Sequence, residues 1–261
     1  MTEQIEQLDN QSRRLRPYNI VMGFLHLIQG VLMVALSSDF SVPITTSFLQ
    51  FNQATQKLTP NLETAFELPL GPVIAGFLFL SAIAHIAVSL PRIYEWYMSN
   101  LGKGTNYARW IEYAFSSSLM IVAISMLAGI YDLVTLMALF GVNAMMILFG
   151  WMMELHNQTT ERTNWTSYWF GIIAGAIPWI GIAIYLFGAG GGEQGPPTFV
   201  YWIFFSIFLF FNSFAINMVL QYKKVGKWRD YIYGEKAYIL LSLIAKSLLA
   251  WQVWGGTLRP V

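Results

Sequence analysis

The sequence contains no cysteine, and only 11% of its 261 residues are charged. The absence of thiols excludes disulfides, thiol catalysis, and iron–sulfur or zinc–thiolate sites. The scarcity of charge excludes an ordinary water-soluble domain, in which about a quarter of the residues are charged. Hydrophobic residues make up 56% of the chain. This composition is typical of an integral membrane protein, and we expect a lipid bilayer as its environment.

The sequence also lacks the patterns of several other function classes. Its formal net charge is +1 and its basic residues are spread along the chain, so nothing favours a nucleic-acid partner. It has no nucleophile–base set or phosphate-binding loop, and we predict that it is not an enzyme. Its three histidines lack the spaced carboxylates or thiolates of a metal site, so we predict no bound metal.

Seven apolar stretches are each close to the length that a helix needs to cross a bilayer. They cover about 18–38, 69–91, 105–129, 132–154, 166–188, 198–221 and 237–255. Because lipid offers no hydrogen bonds to a backbone, stretches of this length and composition are expected to be α-helical. The sequence thus predicts an all-α bundle of seven transmembrane helices that forms one domain over residues 1–261.

Lysine and arginine are distributed unevenly over the connections between these stretches. If the N-terminus lies inside, twelve of them fall on the inner side, and only Lys57 and Arg259 fall on the outer side. Positive charge collects on the cytoplasmic side of membrane proteins. We therefore predict a multi-pass protein of the cell membrane with a cytoplasmic N-terminus and an extracellular C-terminus.

Two of the outer connections have recognisable local patterns. Residues 41–51 are rich in β-forming residues and are followed by polar and turn residues, which predicts a small β-hairpin in the first outer loop. The glycine-rich residues 188–197 predict a flexible outer turn.

Lys246 is the one basic residue in the interior of the predicted spans, and Glu112 is the one clear acid. At about 1.5 Å per residue, Lys246 lies roughly 15 Å deep, near the middle of the hydrocarbon layer. One interpretation is a Schiff base formed by an aldehyde on Lys246, with Glu112 as its counterion. The other is a structural ion pair between helices three and seven. The pair alone does not separate them, but a lysine midway along the last of seven spans favours the Schiff base.

Other polar residues fall at the same inner level of the bundle. Ser242 precedes Lys246 by one helical turn and shares its face. Two histidines and a serine on helices one and two also lie in the inner half, and an asparagine lies on helix four. Each histidine could simply be satisfied by a neighbouring helix, but their shared depth with Glu112 favours a water-filled polar pocket that could accept a proton. These residues are His26, His85, Ser81 and Asn143.

In these features the chain resembles the heliorhodopsins, a family of retinal proteins with inverted topology. The likeness covers all seven spans and includes the charge bias, the long first outer loop, Arg109-Trp-Ile-Glu112-Tyr113 on helix three and Ser242-Leu-Ile-Ala-Lys246 on helix seven. It implies a rhodopsin-like bundle with all-trans retinal on Lys246 and Glu112 as the sole carboxylate counterion. It also implies a homodimer, formed through helices four and five and the outer loop.

The resemblance further implies two sets of site residues. Beside Lys246 and Glu112, the residues expected around retinal are Ser242, Tyr113, Asn143 and Ser116. Independently of the resemblance, a polyene pocket would need aromatic walls, and we select Phe210 or Phe211 on helix six for that role. The inner proton cavity is expected to be formed or flanked by His26, His85, Ser81, Asn143, Arg109 and Glu154.

Pumping rhodopsins usually carry an acid, a hydroxyl and an acid at offsets of zero, four and eleven on the third helix. The corresponding residues here are Glu112, Ser116 and Ala123, so the internal proton donor is missing. Without that donor, fast reprotonation has no obvious route, and one-way pumping is disfavoured.

We therefore predict a light sensor in which retinal isomerises, the Schiff-base proton moves into the inner cavity, and a slow photocycle signals to a possible cytoplasmic partner. One alternative is a light-gated proton carrier that uses Glu112 and the histidines. A second is a retinal-free channel or transporter in which Lys246 and Glu112 form only a structural pair.

Overall fold

The computed structural model describes residues 2–190 and 195–260. Within them, seven helices are long and apolar enough to cross a membrane, which confirms the predicted bundle. The turn predicted over 188–197 lies partly outside the described residues. The helices and strands are, in chain order, α1 (Thr2–Leu36), β1 (Ser41–Asn52), β2 (Lys57–Pro69), α2 (Leu70–Ala87), α3 (Pro91–Leu101), α4 (Tyr107–Leu127), α5 (Leu133–Asn157), α6 (Thr166–Gly188), α7 (Thr198–Tyr222) and α8 (Tyr231–Val253).

The spanning helices are α1, α2 and α4 to α8, and in α1 the membrane-spanning part covers Arg14–Leu36. Helix α2 packs against α1 and α4, α5 packs between α4 and α6, and α7 packs against α8. The main apolar core includes the fully buried Phe77, Ile121 and Leu249. Large apolar side chains such as Ile184 and Leu209 cover the outer surface, as a lipid-facing surface requires.

Helix α8 begins at Tyr231, six residues before the predicted start of the seventh span at 237. Its N-cap is Asp230, whose carboxylate accepts a hydrogen bond at 2.9 Å from the backbone nitrogen of Ile232. This cap satisfies a backbone donor of the first turn, so the helix starts within sequence that reads as a polar loop. As a result, Glu235 belongs to the bundle.

Helix α3, between the second and third spans, was not predicted. Pro91 stands in its first turn, where a missing backbone N–H costs nothing. Its inner face buries Tyr97 and Leu101 against the ends of α1, α2 and α8. Burial raises the pKa of the Tyr97 hydroxyl, which therefore remains a hydrogen-bond donor.

Strands β1 and β2 form the predicted antiparallel hairpin, with an irregularity between Ile44 and Thr45. The base of the hairpin is anchored to the bundle, because the backbone nitrogen of Thr45 donates to the carbonyl of Tyr131 at 2.9 Å. Val42 and Ile44 are buried in the main core. The rest of the hairpin projects from the bundle and is largely exposed.

Candidate functional site

Lys246 and Glu112 form a buried ion pair between α8 and α4. Lys246 is only 3% exposed, and its Nζ lies 3.2 Å from Glu112 Oε1. The same Nζ donates to Ser242 Oγ at 2.7 Å. Ser81 Oγ from α2 donates to Glu112 Oε1 at 2.6 Å. Three helices thus contribute to one charge pair, and each charge has a second polar neighbour that stabilises it.

A cavity of about 270 Å³ has Lys246 in its wall. The lining is mostly apolar and comes from α4, α5, α6, α7 and α8. Trp179 packs its ring edge-on against Phe208 and Phe211, with ring centroids 5.2 Å and 5.4 Å away. The aromatic and sulfur-containing residues that line the cavity include Trp110, Tyr113, Met146, Trp179, Phe211 and Met218.

Some of the residues predicted around retinal line this cavity and others do not. Tyr113, Phe211 and Ser242 line it. Phe210, the neighbour of Phe211, is not part of the lining and packs against the core instead, because it points to a different side of α7. Tyr113 is held in place by its hydroxyl, which donates to the carbonyl of Tyr238 at 2.9 Å.

Ser116 and Asn143 also lie outside the cavity wall. Ser116 is fully buried, and its Oγ has no hydrogen-bond partner among the described residues. Asn143 Nδ2 donates to Ser117 Oγ at 2.9 Å and to Ser118 Oγ at 3.0 Å. Asn143 therefore supports the wall from behind, since Ser117 lines the cavity.

The two histidines of α1 and α2 lie together. The rings of His26 and His85 stack with centroids 5.7 Å apart and an interplanar angle of 10°. His85 Nδ1 is 2.8 Å from Asn19 Oδ1, whereas neither ring nitrogen of His26 has a partner among the described residues. His85 and Glu112 line a second cavity of about 40 Å³, which has room for water.

Arg109 and Glu154 form an ionic cluster together with Glu235. Arg109 Nη2 donates to Glu154 Oε1, and Arg109 Nε lies 3.1 Å from Glu235 Oε2. The guanidinium is held between the ring faces of Trp110 and Tyr238, 4.0 Å from each centroid. Arg109 lines both cavities, so it is the member of this cluster that adjoins the lysine site.

Asn19 and Glu235 are polar residues of the interior that were not predicted. Asn19 precedes His26 by seven residues, or two helical turns, so helical spacing could have identified it. Glu235 was missed because the seventh span was drawn from residue 237. The capping pattern at Asp230 is the signal that would have included it.

This architecture, with a buried lysine on the last of seven spanning helices paired to a carboxylate on the third, is that of the rhodopsins. The transmembrane domain of Salpingoeca rosetta rhodopsin phosphodiesterase is similar with a TM-score of 0.66 and 9% identity, over 98% of this chain and 88% of that chain. A light-driven proton pump, LR (Mac) from Leptosphaeria maculans, is similar with a TM-score of 0.58 and 15% identity, over 91% of this chain and 95% of that chain. These low identities establish the fold alone.

The family is established by sequence. The heliorhodopsin family model matches residues 15–258, nearly the whole chain, and the chain therefore belongs to the heliorhodopsin family. Among curated proteins, none matches its sequence. Membership in this family makes the protein a multi-pass membrane protein of the retinal photoreceptor class.

Proposed function

We propose that the protein is a light sensor in which all-trans retinal is bound to Lys246 as a Schiff base, with Glu112 as counterion. The observation that carries this proposal is the position of Lys246, buried in the wall of a mostly apolar cavity and 3.2 Å from Glu112 Oε1. Ligand sites in proteins are typically apolar cavities with a few convergent polar groups. The residues present therefore fit a long apolar chromophore anchored at one polar end.

Retinal supplies light absorption when bound, and the side chains around Lys246 control the proton on its nitrogen. Glu112 stabilises positive charge there, since opposite charges a few ångströms apart favour the charged form. Ser242 Oγ accepts a hydrogen bond from the same nitrogen, and Ser81 holds the Glu112 carboxylate in place. The cavity lined by His85 and Glu112 offers a route for the proton when it leaves.

In pumping rhodopsins, the third helix carries an internal proton donor, and the residue at that position here supports sensing rather than pumping. Ala123, eleven residues after Glu112, is fully buried in the apolar core. An apolar residue cannot return a proton, so recovery of the starting state is slow and the activated state is long-lived. A long-lived state suits signalling to a cytoplasmic partner.

A light-gated proton carrier is the second candidate. It is favoured by one observation, the water-sized cavity that joins Glu112 and His85 to Arg109. A light-driven pH change in a suspension of intact cells, abolished by a protonophore, would support the carrier. No such change in a protein with a complete photocycle would support the sensor.

The visible spectrum after addition of all-trans retinal tests the chromophore site. We expect a visible band that Lys246→Ala abolishes, because the attachment nitrogen is lost. We expect Glu112→Gln to shift the band strongly, because the counterion charge is removed. Glu63→Gln, on the exposed hairpin, is the matched control and should leave the band unchanged. A parent protein with no band would overturn the proposal and leave a retinal-free channel or transporter with a structural ion pair.

A further inference from the structure

A second buried charged site begins one helical turn before Glu112, and the light sensor proposed above gives no role to its two acids. It consists of Arg109 on α4, Glu154 on α5 and Glu235 on α8. Their side chains are 3%, 2% and 0% exposed. We call this group the three-helix charge cluster.

The formal charges of the three-helix charge cluster do not cancel. It contains one guanidinium and two carboxyl groups, and Arg109 is the cation that contacts either acid within the described part of the chain. If both acids were ionised, one negative charge would remain buried without a partner. Burying an uncompensated charge is strongly unfavourable, and such a group usually becomes neutral instead.

Glu154 has the surroundings of an ionised carboxylate. Its two oxygens accept hydrogen bonds from five donors. None of these five hydrogen bonds requires Glu154 to donate a proton. A carboxylate has only acceptor sites, so this set matches its ionised form. The donors are Thr105 Oγ1, the backbone nitrogen of Asn106, Arg109 Nη2, Trp110 Nε1 and Tyr231 OH.

Glu235 is solvated far less well by the protein. Asn106 Nδ2 donates to its Oε2 at 2.6 Å, and the contact from Gln221 Nε2 to its Oε1 is long, at 3.5 Å. Arg109 Nε is 3.1 Å away but is not aligned for a hydrogen bond, and it remains without one. Of the two acids, Glu235 is thus the one whose surroundings suit a neutral carboxyl.

We propose that Glu235 holds a proton in the resting protein, and that the three-helix charge cluster is a proton-storage site separate from Glu112 and the histidines. The groups that interact electrostatically with Glu235 come from α3, α4, α5, α7 and α8, and Arg109 is the positively charged group among them. They are Tyr97 on α3, Arg109 and Tyr113 on α4, Glu154 on α5, Tyr222 on α7, and Tyr231 and Tyr238 on α8.

The position of Arg109 couples this stored proton to the lysine site. The 40 Å³ cavity that Glu112 and His85 line extends to Arg109 and Asn106, the two side chains nearest the Glu235 carboxyl. A proton that leaves the lysine site and enters this cavity repels the Arg109 guanidinium. The guanidinium then pairs more closely with Glu235, which favours the ionised form of that acid. The O–H bond of Glu235 then breaks, its electron pair stays on the carboxylate, and the proton passes to water. This light-driven step rests on the proposed function, whereas the resting protonation of Glu235 does not.

Infrared spectroscopy of the retinal-free protein in the dark tests the resting protonation. A protonated carboxyl has a C=O stretch that is well separated from the bands of a carboxylate. We expect Glu235→Gln to remove such a band and Glu235→Asp to shift it. Glu154→Gln should also remove it, because Arg109 would be left as an unpaired buried cation unless Glu235 ionises. Glu63→Gln, on the exposed hairpin, should leave the band in place. A spectrum that is the same in the parent protein and in Glu235→Gln would overturn the proposal. If Glu235→Gln does not fold, an unshifted band in Glu235→Asp overturns it equally.

Thermal unfolding gives an independent readout. Replacing a neutral acid by an amide changes no charge, so Glu235→Gln should leave Tm nearly unchanged. Glu154→Gln removes the partner of Arg109 and should lower Tm clearly. Equal losses in the two variants would mean that Glu235 is ionised, against the proposal.

The light-driven step has its own measurement, made on the protein with retinal. Illumination should bleach the Glu235 band, and this signal should be absent from Glu235→Gln. A protein that binds no retinal overturns the proposed function but leaves the dark spectrum as a valid test of Glu235. A photocycle with an unchanged Glu235 band overturns the coupling.

Discussion

An unpaired ammonium near the centre of a bilayer costs about 2.5 to 3.5 kcal/mol on insertion scales. Lys246 avoids this cost through Glu112, 3.2 Å away, and through Ser242. A structural ion pair would need no more than these contacts. A structural pair does not require the adjoining cavity, whose wall includes Lys246 and Trp179. At the scale of single residues, it is therefore the apolar cavity beside the nitrogen that supports the proposed chromophore.

Gly150 is a position at which one added carbon atom is expected to affect stability. A Cβ there would lie 2.5 Å from the ring of Trp110, which is fixed by its hydrogen bond to Glu154. We expect Gly150→Ala to destabilise the protein by about 1–3 kcal/mol, the usual cost of overpacking. Thermal or denaturant unfolding in detergent measures this loss.

Gly141→Ala is the matched control, because it lies on the same helix and its added methyl would meet no atom within 4 Å. It should be neutral or stabilising by up to about 1 kcal/mol, since alanine favours helix over glycine. Equal stabilities for the two variants would show that Trp110 is free to move.

At the scale of elements, the sequence predicted the spans well because their signal is continuous. Lipid imposes long apolar runs, and α6 matches its predicted range of 166–188. The ends were less predictable, since they depend on single caps such as Asp230. Helix α3 was missed because an eleven-residue helix on the bundle surface carries no run of that length.

The site was predictable to the same extent. The Lys246–Glu112 contact follows from charge pairing inside lipid, and depth alone placed His85 near Glu112. Depth cannot give the direction in which a side chain points, so Phe210 was assigned to the cavity together with Phe211. Nor could it show Glu235 beside Arg109, because that contact depends on where α8 begins.

The hairpin has one polar face and one apolar face. Its register places Leu49, Phe51, Leu58 and Leu62 on the same side, and all four are exposed. A two-stranded hairpin with an uncovered apolar face is marginally stable and is typical of an interface. We therefore propose that a second copy of the chain covers it, in a dimer that α5 and α6 extend.

The variants Phe51→Glu and Phe48→Glu test the dimer. The two residues are 57% and 56% exposed but lie on opposite faces of β1. We expect Phe51→Glu to weaken dimerisation at least about tenfold, or about 1.4 kcal/mol, because it buries a charge, and Phe48→Glu to have little effect. Light scattering in detergent, with circular dichroism as the control for folding, measures both. Equal effects, or a parent protein that is monomeric throughout, would contradict a dimer built on this face.

At the scale of the whole molecule, the remaining question is which end of the bundle faces the cytoplasm. Twelve lysines and arginines lie on the side of the N-terminus and two on the other side. Each positive charge favours the cytoplasmic side during insertion, so their sum sets the orientation. We therefore propose that the N-terminus is cytoplasmic and that the hairpin lies outside the cell. The stacked histidines, on this proposal, lie toward the side on which a signalling partner would bind.

The absence of cysteine allows a direct test, because the parent protein gives no background with thiol reagents. Thr55→Cys places a thiol in the exposed turn of the hairpin, and Lys227→Cys places one in the exposed connection between α7 and α8. We expect a membrane-impermeant maleimide to label only Thr55→Cys in intact cells, and to label both variants after permeabilisation. Labelling of Lys227→Cys alone in intact cells would show that the orientation is the opposite of the one proposed. The Glu235 proton and the light signal would then be delivered to the other side of the membrane.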